Sequence, residues 1–134
     1  MKKALIIIGI LVIAVSIFVF TSPKSDDTTT TSAPAKRTFA SVQDDVTNGA
    51  HLIDVRTPEE YAAGHFANAS NFDSVKVEAG QLPDLAKNAK VYLYCHSGRR
   101  AGIVLTAMKK AGFTDVTSLG GLTDVQAIGG TLSK

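Results

Sequence analysis

The chain contains a single cysteine, Cys95, in the stretch YCHSGRR at residues 94–100. An apolar run precedes it and a segment of helical periodicity comes after. A thiolate, not a thiol, is the nucleophilic form of cysteine, and its pKa falls beside cationic side chains and helix N-termini. In a strand–loop–helix unit of an α/β sheet, the loop lies at the carboxyl end of the strand, where such folds place their sites. Cys95 ends the strand, and the helix is expected to begin near Arg99 or Arg100. The first backbone N–H groups of a helix have no intrahelical acceptor. Here the helix terminus and the guanidiniums of Arg99 and Arg100 add positive charge to them. Gly98 supplies a bend of positive φ, so the backbone can close around an anion. The chemistry expected is that of an activated thiolate facing an oxyanionic substrate held by His96, Ser97, Gly98, Arg99 and Arg100. The alternative is a small buried hydrophobe. A structural cysteine belongs mid-strand among apolar neighbours, whereas this one heads a polar, doubly basic loop. Arginine at a helix start opposes the dipole, which favours an anion-binding purpose.

The elements that must position this loop are set by pattern. KVYLYC is β-branched and aromatic with apolar residues on both faces, a buried strand. RAGIVLTAMKKAGF reads as an amphipathic helix, with Ile103, Val104, Ala107, Met108 and Ala111 at helical spacing and Gly112 ending it. Upstream, FASVQDDVTNGA is a short helix that Ser41 can cap and Gly49 can stop. HLIDVR is a strand ending in charge. TPEEYAAGHF carries Thr57 as cap, Pro58 at the first helical position and Glu60 closing a capping box. SNFD is a possible short strand, and VKVEAGQLPDLAKNA is loop with one or two turns, broken by Pro83. DVTSLGG is another strand and LTDVQAIGG a last helical turn. Strands alternating with helices imply crossover units, hence an α/β fold with a mainly parallel central sheet flanked by helices.

This domain is expected to occupy residues 38–134, roughly 100 residues and enough for one modest core. Ahead of it, residues 21–37 are rich in Thr, Ser and Pro and read as a flexible linker. Residues 1–20 begin with Lys2 and Lys3 and run apolar and uncharged from Ala4 to Phe20. That segment just meets the length of a membrane-spanning helix, and a poor cleavage context lies behind it, so an uncleaved anchor is favoured over a signal peptide. The lysines ahead of the span place the domain on the extracytoplasmic side, anchored or exported.

Several classes of function are excluded. A net charge of +2 with no basic stripe argues against nucleic acid. One cysteine forbids an intramolecular disulfide and a C-x-x-C pair. The histidines at 51, 65 and 96 show no ligand spacing, so no metal is expected. His51 reads as a strand-start residue and His65 as bonded to local backbone. Glu59 and Glu60 are explained by solvent and capping rather than by acid–base chemistry.

The two segments LIDVRTPEEYAAGHF and YCHSGRRA, in this order, resemble the signature and active-site loop of the rhodanese family of sulfurtransferases. The resemblance covers nearly all of the domain. It implies a rhodanese-like fold and a Cys95 that carries a persulfide. In it His96, Ser97, Gly98, Arg99 and Arg100 cradle the outer sulfur and the thiosulfonate oxygens. Asp54 and Arg56 fall on the family's acidic–basic pair and would brace the sheet edge and the loop. The implied partners are a thiosulfate-like anion and a thiol acceptor, with cyanide as another, and no cofactor; a monomer is expected. Three positions depart from the family. Phe66-Ala67-Asn68-Ala69 stands in place of Ile-Pro-Gly-Ala, Val125 in place of a tryptophan, and Thr131 where a proline is common. The last two suggest a lighter C-terminal cap and a more open pocket.

Two other functions compete. A cysteine phosphatase or arsenate reductase also cradles an oxyanion over a thiolate, but with five residues between Cys and Arg. Only four separate Cys95 from Arg100, a tighter cup that favours sulfur over phosphate. A non-catalytic persulfide carrier or binding module would be natural if Cys95 were absent.

Overall fold

The computed structural model describes residues 36–134. The chain runs α1 (Phe39–Thr47), β1 (His51–Asp54), α2 (Pro58–Ala63), β2 (His65–Phe66), β3 (Ala69–Asn71) and α3 (Ser74–Glu78). It continues through β4 (Lys90–Tyr94), α4 (Arg99–Lys110), β5 (Asp115–Gly120), α5 (Leu122–Ala127) and β6 (Leu132–Ser133). Strands β3, β1, β4 and β5 form one sheet in that order, every pair parallel. This is the α/β architecture that the alternation of strand and helix patterns implies.

Side chains of a strand alternate between faces, and β4 uses both. Val91, Leu93 and Cys95 enter one core with Ile53, Val55, Val104 and Met108, beneath α3 and α4. Tyr92 and Tyr94 enter the other with Phe39, Val42, Leu52 and Val125. Burial on both faces is what the unbroken apolar run of β4 requires.

Local differences from the sequence pattern have plain causes. Thr38, not Ser41, caps α1; Ser41 stands three residues in and completes the capping box by bonding back to Thr38. On α4 the inward residues are Ala101, Val104 and Met108, whereas Ile103 is 37% exposed and Ala111 is exposed. The helix buries a narrower stripe than its apolar residues suggest. Strands β2 and β6 pair antiparallel, His65 with Ser133 and Phe66 with Leu132; two-residue strands are too short for an alternation signal. This pairing brings Leu132 and Ser133 beside Gly64, just past α2. Val125 is wholly buried, so the space beside Phe66 and Gly130 is filled without a tryptophan. The turn between β2 and β3 places Asn68 at φ 61, a left-handed conformation that asparagine tolerates best after glycine. Residues 1–20 and most of the linker lie outside the described residues. Among the described residues no helix is long and apolar enough to cross a membrane.

The end of β4 is shaped by β5. Leu93 pairs with Ser118 and Tyr94 with Gly120, so the register slips by one residue between them. Such a bulge bends a strand and re-aims the residues beyond it. Past the bulge, Cys95 N–H donates to Gly120 O at 3.1 Å, Leu122 N–H donates to His96 O at 3.1 Å, and Ser97 bridges Gly121. A Cβ on Gly121 would lie 2.7 Å from His96 O and 2.9 Å from Ser97 Cα. Both are backbone atoms that cannot swing away. Gly121→Ala is therefore expected to lower stability by about 1–3 kcal/mol, the range of core overpacking. Urea unfolding of the two proteins checks it, and an unchanged midpoint would refute the close packing.

Candidate active site

Cys95 is fully buried yet not confined to hydrocarbon. Gly98, at φ 90, turns the chain so that its N–H donates to Cys95 Sγ at 3.0 Å. Gly98 is also the N-cap of α4 and offers no side chain to the helix terminus. The first-turn amides therefore have no side-chain cap. The N–H that meets the sulfur is thus the N-cap amide of α4.

Arg100 comes next in the first turn of α4. Its two terminal nitrogens grip Glu60 Oε2 at 2.7 Å and Oε1 at 2.8 Å. This fork fixes the guanidinium in a planar, two-point geometry. Glu60 holds the Arg100 pKa above its ordinary value, against partial burial, and the Cys95 sulfur acts in the same direction. Arg100 is therefore flanked by the Glu60 carboxylate and the Cys95 sulfur. Arg99 is exposed and lines a separate groove on the outer face of α4 with Ile103 and Lys110. To the loop it contributes backbone rather than charge. Ser97 and His96 are both solvent-accessible, and His96 lines the cleft beside the loop.

Glu60 has a second contact in this site that pattern reading missed. Its capping role is real: Oε2 accepts from Thr57 N–H at 3.0 Å, and Thr57 Oγ1 accepts from Glu60 N–H at 3.3 Å. The same carboxylate reaches Arg100, 40 residues away in sequence. No local signal marks a contact of that separation. Arg100 above all, then the Thr57 amide, lowers the Glu60 pKa to about 2 against the opposing effect of burial.

Asp54 and Arg56 form the buried support. Arg56 Nε donates to both Asp54 oxygens at 2.9 Å and Nη2 to Oδ2 at 2.5 Å. Nη2 also donates to Gly64 O at 2.6 Å. Burial opposes the guanidinium charge, but the Asp54 bonds outweigh it and raise the Arg56 pKa. Asn71 donates to the carbonyls of both residues. The pair thus ties the end of β1 to the turn after α2 and to β3. His65 takes no part: it stacks on Tyr61 with centroids 3.9 Å apart and contacts Tyr61 O through Nδ1.

A family model described as Rhodanese-like domain matches residues 38–128. The chain is 38% identical over 78 residues to thiosulfate sulfurtransferase PspE of Escherichia coli K12, covering 56% of this chain and 73% of the relative. It is 30% identical over 74 residues to thiosulfate sulfurtransferase GlpE of Pseudomonas aeruginosa LESB58, covering 55% and 66% respectively. A solved structure described as a rhodanese with anions from E. coli is similar over 64% of this chain and 99% of that one, with 35% identity and a TM-score of 0.52.

The Glu60–Arg100 pair should be visible in acid. A carboxyl whose folded pKa is about 2 and whose unfolded value is about 4.3 adds stability that is complete above the unfolded value. That contribution is lost as pH falls toward the folded one. The stability gap between the native protein and Glu60→Gln is expected to be largest at neutral pH and to close between about pH 4.3 and 2. Urea midpoints measured across that window check it; a gap independent of pH would contradict the pairing.

Proposed function

This chain belongs to the rhodanese family, a rhodanese-like enzyme by its relatives, and on that footing we propose that it moves a sulfane sulfur from thiosulfate or a similar donor to a thiol or cyanide through a persulfide on Cys95. The observation that carries this reading is the Gly98 N–H on Cys95 Sγ at 3.0 Å, at the uncapped start of α4 beside an Arg100 fixed by Glu60. The Cys95 thiolate attacks the outer sulfur of thiosulfate. A new S–S bond forms as the original S–S bond of thiosulfate breaks, and its electron pair leaves with sulfite. The loop amides and Arg100 stabilise the oxyanion charge, a role fixed dipoles perform well in a partly dehydrated site. An acceptor nucleophile then takes the outer sulfur and restores the thiolate, a double displacement. His96, Ser97, Gly98, Arg99 and Arg100 supply the cradle, chiefly through backbone except at Arg100. Asp54 and Arg56 hold its base.

The test is direct. Thiosulfate alone is expected to add one sulfur to the mass of the protein, and thiosulfate with cyanide to yield thiocyanate. Cys95→Ser should abolish both. Aryl phosphate hydrolysis without thiocyanate would transfer the site to phosphate chemistry.

We further propose that residues 1–20 anchor the domain to a membrane on its extracytoplasmic side, supported by Lys2 and Lys3 ahead of the uncharged run to Phe20. Full-length mass in a carbonate-washed membrane fraction is expected. A soluble, N-terminally shortened protein would replace the anchor with a cleaved leader.

A further inference from the structure

Beside the cysteine loop lies an open cleft of about 510 Å³ whose lining includes Arg56, Glu60, His96, Leu122, Leu132 and Lys134. A diatomic anion fills little of such a space, which is of the size that organic ligands occupy. Its charges are mostly spent. Arg56 is bound to Asp54 and Gly64 O, and Glu60 is bound to Arg100. The exposed Lys134 ammonium makes no ion pair among the described residues. Leu122 and Leu132 are half-buried and pack against the core around Tyr94 and Val125, so they present a firm apolar wall. One end of the cleft meets His96, the residue after the nucleophile.

We propose that Leu122 and Leu132 form an acceptor subsite for the uncharged apolar stem of an organic thiol, an assignment that rests on the persulfide reading above. With the stem against these leucines, the acceptor thiolate attacks the outer sulfur of the Cys95 persulfide. A new S–S bond forms as the bond from Cys95 Sγ to that sulfur breaks. The electron pair returns to Sγ as thiolate, and the product is the acceptor's hydropersulfide. No external oxidant or reductant enters.

The experiment loads the protein with thiosulfate, removes excess donor, and monitors single-turnover discharge by ω-mercaptoalkanols from two to six carbons. Rates are corrected for thiolate fraction and divided by the cyanide rate. Burial of one methylene predicts a gain of about two- to fourfold per carbon until the wall is covered. Leu132→Ala and, separately, Leu122→Ala should flatten that slope; the second variant guards against loosening of β6 in the first. Ile103→Ala, on the outer face of α4, should keep the native slope. A flat series in the native protein, or rates governed by an ω-carboxylate irrespective of length, overturns the subsite. Absence of the one-sulfur mass gain after thiosulfate would instead sink the persulfide reading itself.

Discussion

The site depends on one close approach of backbone to backbone, the loop after β4 lying directly on Gly120 and Gly121. Gly120 is left-handed at φ 92, and a Cβ there would meet the Asp124 carboxylate at 2.3 Å. Gly121 has the backbone of His96 and Ser97 where a Cβ would stand. Asp124 Oδ2 in turn accepts from Gly121 N–H at 2.7 Å. With side chains absent at both positions, the cysteine loop gains main-chain bonds to the end of β5. The bulge between β4 and β5 turns the chain toward them. Once those bonds are made, Gly98 has little freedom left, and its N–H points at the sulfur as a consequence of the sheet edge.

Charge is organised around the short helix α2. Its N-terminal carboxylate, Glu60, holds Arg100, while Gly64, just beyond its C-terminus, accepts from Arg56. A buried ion pair is a weak source of net stability, because desolvation offsets much of the attraction. Asp54 and Arg56 are better understood as fixing position: seven hydrogen bonds tie them to each other, to Gly64 and to Asn71. Arg100 differs, being partly exposed. Its carboxylate partner orients the guanidinium without cancelling the helix-terminus field, since backbone dipoles carry that field.

What can be read from the chain is whatever local chemistry determines. The apolar run of β4, the Thr57–Glu60 capping box and the positive φ of Gly98 each depend on residues close in sequence, and each appears in the structure. The geometry of the cysteine loop is legible for the same reason, because cysteine, bend and cations are contiguous. Glu60 reads as a cap only, since its partner is distant in the chain. The β2–β6 pair escapes notice because two residues carry no period. Ile103 lies outside the core because helical spacing shows that a face is apolar, not how wide a stripe the sheet will cover. Arg99 and Arg100 look equivalent as neighbours, but about 100° of helix rotation turns Arg100 onto Glu60 and Arg99 onto the outer groove.

The burial of Cys95 bears on how the proposed cycle would use its cleft. A sulfur with no accessible surface cannot be approached by a bulky acceptor, so direct capture of the bare thiolate by large electrophiles is disfavoured. Transfer of one sulfur changes that geometry, because an S–S bond extends the reactive atom by about 2 Å. In the proposed cycle the inner sulfur would keep the Gly98 N–H, and the outer one would be the atom offered to an acceptor. Donor and acceptor would meet different atoms: a small oxyanion with a protruding sulfur reaches in, and an organic thiol needs only to reach the sulfur left behind. A tight loop beside a roomy, largely charge-neutral cleft suits that division of labour. A cup made for tetrahedral phosphate would instead place its width and its charge at the same point.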